Sequence, residues 1–210
     1  MKSDLIMKYF PDADPEKIKK LELLYQGYLE WNDKINLVSR SDMENLYERH
    51  ILHSLALALF FSFKPMTEVM DLGTGGGFPG LPLAIWFPEV QFLLVDSIGK
   101  KIRVVEDQVQ KLNLSNVKVF NGRAESVSGT FHFVVTRAVA PAEDLVRWTQ
   151  GKFAKHFNHD LRNGLLMWKG GDLKEELKAV EKKKPKIYSL ADYLEEPFFE
   201  TKKIIHLPMS

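Results

Sequence analysis

Residues 71–80 read Asp71-Leu72-Gly73-Thr74-Gly75-Gly76-Gly77-Phe78-Pro79-Gly80. An apolar run ends at Leu72 and an apolar helical stretch begins at Gly80, so the segment joins a strand to a helix. Glycines at 73, 75 and 77 allow positive φ and let the backbone approach a ligand more closely than any Cβ would permit. In an open parallel sheet, ligands bind beyond the carboxyl ends of the strands, and a loop of this kind stands there.

Working outward, short apolar runs predict strands at 67–72, 91–96, 117–120, 131–136, 164–168, 185–189 and 202–206. Helical stretches are predicted between them at 80–86, 99–112, 141–150 and 172–182. This alternation specifies an α/β fold: a Rossmann-like, seven-stranded, mostly parallel sheet with helices on both faces. Upstream, Asp14 caps and Pro15 opens a helix whose apolar side is Ile18, Leu21, Tyr25 and Tyr28. A second helix is predicted from Tyr47 to Phe61. Helices this short are marginal alone and must pack on the main body. The expected division is an N-terminal helical extension over 1–65 and a ligand-binding domain over 66–210.

The absence of cysteine among 210 residues removes disulfides, thiolate zinc sites and a cysteine nucleophile from consideration. There is no apolar run long enough to cross a bilayer, and Met1-Lys2-Ser3-Asp4 does not begin a secretory leader, so a cytoplasmic protein without membrane contact is expected. The net charge of +1 conceals an asymmetry: residues 1–99 carry 9 basic and 14 acidic side chains, residues 100–210 carry 20 and 14. A basic half of this kind can attract a polyanion. His50 and His53 share a predicted helix face, but without a third ligand they are read as packing or capping residues, and no metal is expected. Trp31, Trp86, Trp148 and Trp168 each lie in or beside an apolar pattern and are read as core.

Asp71, at the end of its strand, places a carboxylate beside the loop, suited to receive the ammonium of a methionine moiety directly or through water and of the wrong sign for a diphosphate. Asp96 closes the next strand, where a carboxylate accepts hydrogen bonds from ribose hydroxyls. After the third strand, backbone groups of Ala124 and Glu125 are placed to read an adenine edge. After the fourth strand, Thr136-Arg137-Ala138-Val139-Ala140 stands where methyltransferases of this architecture usually keep residues that face the acceptor; Arg137, the charged group there, is read as facing the ligand at the rim of the crevice, with a plain surface arginine as the alternative. Gly75, Gly77 and Gly80 also satisfy G-x-G-x-x-G, so an NAD-dependent oxidoreductase is the alternative. Asp71 and Pro79, which lacks an N–H to offer a pyrophosphate, weigh against it. The chain has no Asn/Asp-Pro-Pro-aromatic run and no cysteine, which disfavours methylation of exocyclic amines and of pyrimidine carbon 5.

Together these motifs resemble the bacterial ribosomal RNA small-subunit methyltransferase G family, also called glucose-inhibited division protein B. The likeness runs through Trp31-Asn32, Asn36-Leu37, Arg49-His50-Ile51-Leu52 with Ser54, residues 71–82, Asp96-Ser97-Ile98-Gly99-Lys100-Lys101, Arg123-Ala124-Glu125, Arg137-Ala138-Val139-Ala140 and Lys169-Gly170. It implies a class I methyltransferase fold, S-adenosyl-L-methionine as donor and N7 of a guanine in the decoding-region loop of 16S ribosomal RNA as acceptor. Carried over by motif, Gly73, Phe78, Ala124, Glu125 and Arg137 bind the cofactor and Asp96 holds its ribose; Asp71, Gly75 and Gly77 complete the expected set. The chain departs from the family at Lys202-Lys203, where an arginine is usual ahead of the last strand.

Guanine N7 carries a lone pair and no proton, so displacement at a sulfonium methyl needs no general base. Arg137 is the expected catalytic residue, orienting the cofactor or donating to guanine O6. Lys100, Lys101, Arg103, Arg123, Arg147, Lys152, Lys155 and Arg162 are expected to contact RNA around the mouth of the crevice. Scattered basic residues would instead favour a small-molecule substrate, and a nucleotide-binding module without catalysis is a third reading. The partner implied is 16S ribosomal RNA or the small subunit, engaged by a monomer.

Overall fold

The computed structural model describes residues 3–35, 40–156 and 158–210; Asn36 and Leu37, which carry part of the resemblance, lie outside them. Seven strands, β1 (Glu68–Leu72), β2 (Gln91–Asp96), β3 (Val117–Asn121), β4 (Phe133–Arg137), β5 (Gly164–Gly170), β6 (Lys186–Ser189) and β7 (Lys202–Pro208), form one sheet in the order β3-β2-β1-β4-β5-β7-β6. β1 pairs in parallel with both β2 and β4, so the strand order reverses at β1 and a crevice opens beyond its carboxyl end. β7 runs antiparallel to β5 and β6. The expected seven-stranded, mostly parallel sheet is therefore present, with strand limits within two residues of those predicted from sequence.

Two cores sandwich the sheet. One face packs Val69, Phe92, Leu94, Phe133, Val135 and Trp168 against the N-terminal helices α1 (Asp4–Tyr9) and α2 (Pro15–Ile35), together with α5 (Gly80–Trp86) and α6 (Gly99–Lys111). The other packs Met70, Val95, Val134, Leu165 and Met167 against α7 (Ala142–Trp148) and α8 (Lys174–Lys178). The extension thus shares a core with one face of the sheet. Asp14 caps α2 as expected, its carboxylate accepting from Glu16 N at 2.9 Å.

The single helix expected over 47–61 is absent. After the short α3 (Arg40–Glu44), a π-helical turn over Tyr47–Leu52 leads into one turn of α-helix, α4 (His53–Leu55), and then a 3-10 turn over Ala56–Leu59. Ser54 donates its hydroxyl to His50 O at 2.6 Å, a side-chain bond back to the preceding turn. π-helical turns change which residues share a face and recur at functional sites. The helix expected over 172–182 likewise shortens to α8 and a 3-10 turn over Glu181–Lys183.

Candidate active site

The glycine loop is bound to the strand beside it and to the carboxylate that ends that strand. Gly73 N and Thr74 N both donate to Val95 O at 2.9 Å. Gly75 N donates to one Asp96 carboxylate oxygen at 2.8 Å and Ile98 N to the other, also at 2.8 Å. Gly73, Gly75 and Gly77 have φ of 70°, 58° and 103°, so all three adopt the conformation that glycine permits. A Cβ on Gly73 would stand 2.5 Å from the Val139 side chain, which makes this a true close approach of two loops.

Above the loop is a crevice of about 610 Å³, lined among others by Gly73, Gly75, Phe78, Asp96, Ala124, Glu125 and Arg137. Seven of the nine expected cofactor positions therefore meet in one place. Its apolar walls include Leu72, Val95, Ile98 and Val139. A glycine cradle, a carboxylate at the end of β2, a 3-10 turn over Ala124–Ser126 and apolar walls suit a nucleoside with a polar tail.

Asp71 and Gly77 are the two expected positions that do not line the crevice. Asp71 is fully buried beneath the loop, with one carboxylate oxygen accepting from the Thr74 hydroxyl at 2.6 Å and from Gly80 N at 2.8 Å. It braces the turn through that oxygen, while its other oxygen is buried without a hydrogen-bond partner among the described residues. Burial pushes its pKa up to about 7, against the opposing hydrogen bonds of Thr74 and Gly80 and the Arg137 charge. Gly77 turns its back on the crevice: a Cβ there would meet Leu81 at 2.4 Å and the Tyr28 hydroxyl at 3.0 Å. That tyrosine stacks on Phe78 with ring centroids 4.9 Å apart and donates to Gly76 O, tying the N-terminal extension to the loop.

Arg137 lines the crevice from the end of β4, and its guanidinium is already engaged. It lies 5.1 Å over the Phe78 ring, donates to Arg49 O at 3.3 Å, and sits 2.8 Å from His50 Nδ1. Burial pulls it down to about 10, so it is still a cation at neutral pH. His50 also lines the crevice, a position the sequence reading assigned to packing. His53 does serve packing, set edge-on against Phe198 and Phe199.

The basic residues divide. Lys101 and Arg123 line the crevice. Lys152 donates to Glu125 O at 3.2 Å and to Val127 O, supporting the turn that carries the adenine-side residues. Arg147 pairs with Asp144 at 2.7 Å on α7, and Lys100 and Arg103 lie on α6 outside the lining. Lys155 and Arg162 do not stand at the mouth of the crevice, where they were expected. They sit in the segment ahead of β5, at the amino ends of the strands, opposite the crevice. Among the described residues, no helix is long and apolar enough to span a membrane and no cluster of three metal-ligating side chains exists.

A reversal at β1, a glycine loop and a carboxylate ending β2 define a nucleoside-binding enzyme of the Rossmann-like class. The solved fibrillarin/Nop5p complex superposes with a TM-score of 0.55 over 74% of this chain and 79% of that one, at 16% identity. The precorrin-6y C5,15-methyltransferase of Geobacter metallireducens superposes with 0.55 over 84% and 92%, at 9% identity, so the class I methyltransferase fold is common to both. Residues 17–196 match the family model for rRNA small subunit methyltransferase G. The chain belongs to that family. It is 52% identical over 209 residues to the ribosomal RNA small subunit methyltransferase G of Christiangramia forsetii, covering 100% of this chain and 98% of the relative. With the protein of the same name from Bacteroides thetaiotaomicron it shares 49% over 203 residues, 97% of this chain and 98% of the relative.

Proposed function

We propose that the protein transfers a methyl group from S-adenosyl-L-methionine to N7 of a guanine in the decoding-region loop of 16S ribosomal RNA, acting as a cytoplasmic monomer on the RNA or the small subunit. Family membership over nearly the whole chain supports the reaction, and the convergence of seven expected residues on one crevice supports the site. The small-molecule alternative gains from the scatter of Lys155 and Arg162, but the relatives from Christiangramia forsetii and Bacteroides thetaiotaomicron, about half identical over nearly the whole chain, both carry the name of a ribosomal RNA methyltransferase.

When bound, S-adenosyl-L-methionine supplies an electrophilic methyl on a sulfonium. Asp96 would hold the ribose, Ala124 and Glu125 would border the adenine, and Gly73, Gly75 and Phe78 would offer backbone and ring to the rest of the cofactor. Arg137 fixes the far end of the crevice. A guanine N7 lone pair needs no base to take up a methyl from a sulfonium, so the contribution of the chain would be orientation, worth about 7–11 kcal/mol in well-aligned systems. No side chain needs to remove a proton.

Incubating the protein with radiolabelled cofactor and small subunits, then mapping the modified nucleotide, tests the proposal. Label at a guanine N7 of 16S RNA is expected. Label on a small metabolite or on protein overturns it.

A further inference from the structure

His50 is the crevice residue whose chemistry the family motifs leave unused. Its Nδ1 lies 2.8 Å from Arg137 Nη2. Arginine has only donors, so Nδ1 must accept and the ring proton must reside on Nε2. That second nitrogen makes no hydrogen bond within the described chain, and the ring lines the crevice, packed against Phe78 with centroids 5.1 Å apart. Burial, with the Arg137 charge second, pulls His50 down to about 4, so the ring is neutral in the physiological range. The result is a fixed, uncharged N–H on the β4 side of the crevice, across from Asp96 on the β2 side.

Two chemical constraints favour this group over Arg137 as the reader of the base. A forked arginine contact to guanine spans O6 and N7 and would occupy the nucleophile itself. A single N–H donor reaches O6 and leaves the N7 lone pair open. An imidazole with its lone pair toward a sulfonium methyl would also be a competing nucleophile, and the Arg137 bond removes that lone pair by fixing the proton there.

We propose that His50, held by Arg137 with its proton on Nε2, donates to O6 of the acceptor guanine and so selects the base while leaving N7 free. This rests on the proposed reaction. His50 is then a substrate-contacting residue, and Arg137 its positioning residue as well as a cofactor contact.

The test compares small subunits reassembled around RNA carrying guanine or 2-aminopurine at the target position, since 2-aminopurine keeps N7 and lacks O6. Wild type is expected to favour guanine. His50→Ala is expected to lower kcat/KM on guanine about tenfold to a hundredfold more than on 2-aminopurine, so that the preference is lost, while any cost to the cofactor side of the crevice falls on both RNAs alike. His50→Gln offers an oxygen to Arg137 and an amide N–H to O6, and is expected to restore most of the preference. If His50→Ala slows both RNAs equally, or weakens cofactor binding while the preference persists, O6 is not the partner and the proposal fails. Nitrogen NMR of the free protein supplies a reading independent of turnover: Nε2–H is expected at neutral pH, and Nδ1–H overturns the assignment. Absence of transfer to either RNA by wild type counts against the substrate reading, while the NMR result still decides the tautomer.

Discussion

Gly75 N and the Asp96 carboxylate are joined at 2.8 Å, so the residue that ends β2 also fixes the crown of the glycine loop. Because Ile98 N occupies the second carboxylate oxygen, Asp96 stands rigid at the crevice edge, its remaining lone pairs available to ribose hydroxyls. Asp96→Ala removes both functions. A hydrogen bond to a charged group contributes about 1.5–3 kcal/mol, so cofactor affinity is expected to fall about tenfold to a hundredfold by calorimetry. Unchanged affinity would remove Asp96 from the site.

Gly73 and Gly75 should respond differently to alanine. A Cβ on Gly75 meets nothing nearer than Gly73 O at 3.9 Å, which leaves the cost of positive φ alone, about 1 kcal/mol. On Gly73 the same strain adds to a 2.5 Å approach to Val139. Gly73→Ala is therefore expected to displace the segment that follows Arg137 and to lower both thermal stability and cofactor affinity more than Gly75→Ala. Shortening Val139 to alanine should recover part of the Gly73→Ala loss, and absence of recovery would show that the contact is not the cause.

Asp71 gives the fold a pH dependence. Its native pKa is raised to about 7 from the ordinary carboxylate range, so the folded state holds the proton more tightly than the unfolded chain. Its contribution is full below the unfolded value and is lost as pH rises towards 7. Asp71→Asn cannot ionise. The melting temperature of wild type relative to this variant is expected to decline from acid to neutral pH, and parallel curves would contradict it.

These predictions turn on residues of unequal legibility. Asp96, Gly73 and Gly75 were readable because strand end, loop and helix start follow one another in sequence, and backbone conformation there is dictated by residue type. The burial of Asp71 beneath the loop was not legible because β1 is buried on both faces beyond Glu68, so the alternation that separates a crevice-facing side chain from a core-facing one is missing. His50 was hidden by the assumption of regular helix: at α spacing it shares a face with His53, whereas the π turn sends one ring to the crevice and the other to the core. The basic residues were readable as charge but not as place, since composition does not say which end of a sheet a loop joins.

That last distinction can be measured. Lys101 and Arg123 line the crevice, whereas Arg162 precedes β5 at the opposite end of the strands. Each phosphate contact adds about 0.7–0.9 to the slope of log affinity against log salt, because neutralising a phosphate releases condensed counterions. Lys101→Glu and Arg123→Glu are therefore expected to weaken binding to small subunits and to flatten the slope by about one contact each. Arg162→Glu, although it removes the same charge from the chain, is expected to leave the slope as it is. Equal effects from all three would mean that net charge rather than the crevice mouth attracts the RNA, and a slope indifferent to every one of them would place the RNA on some other face.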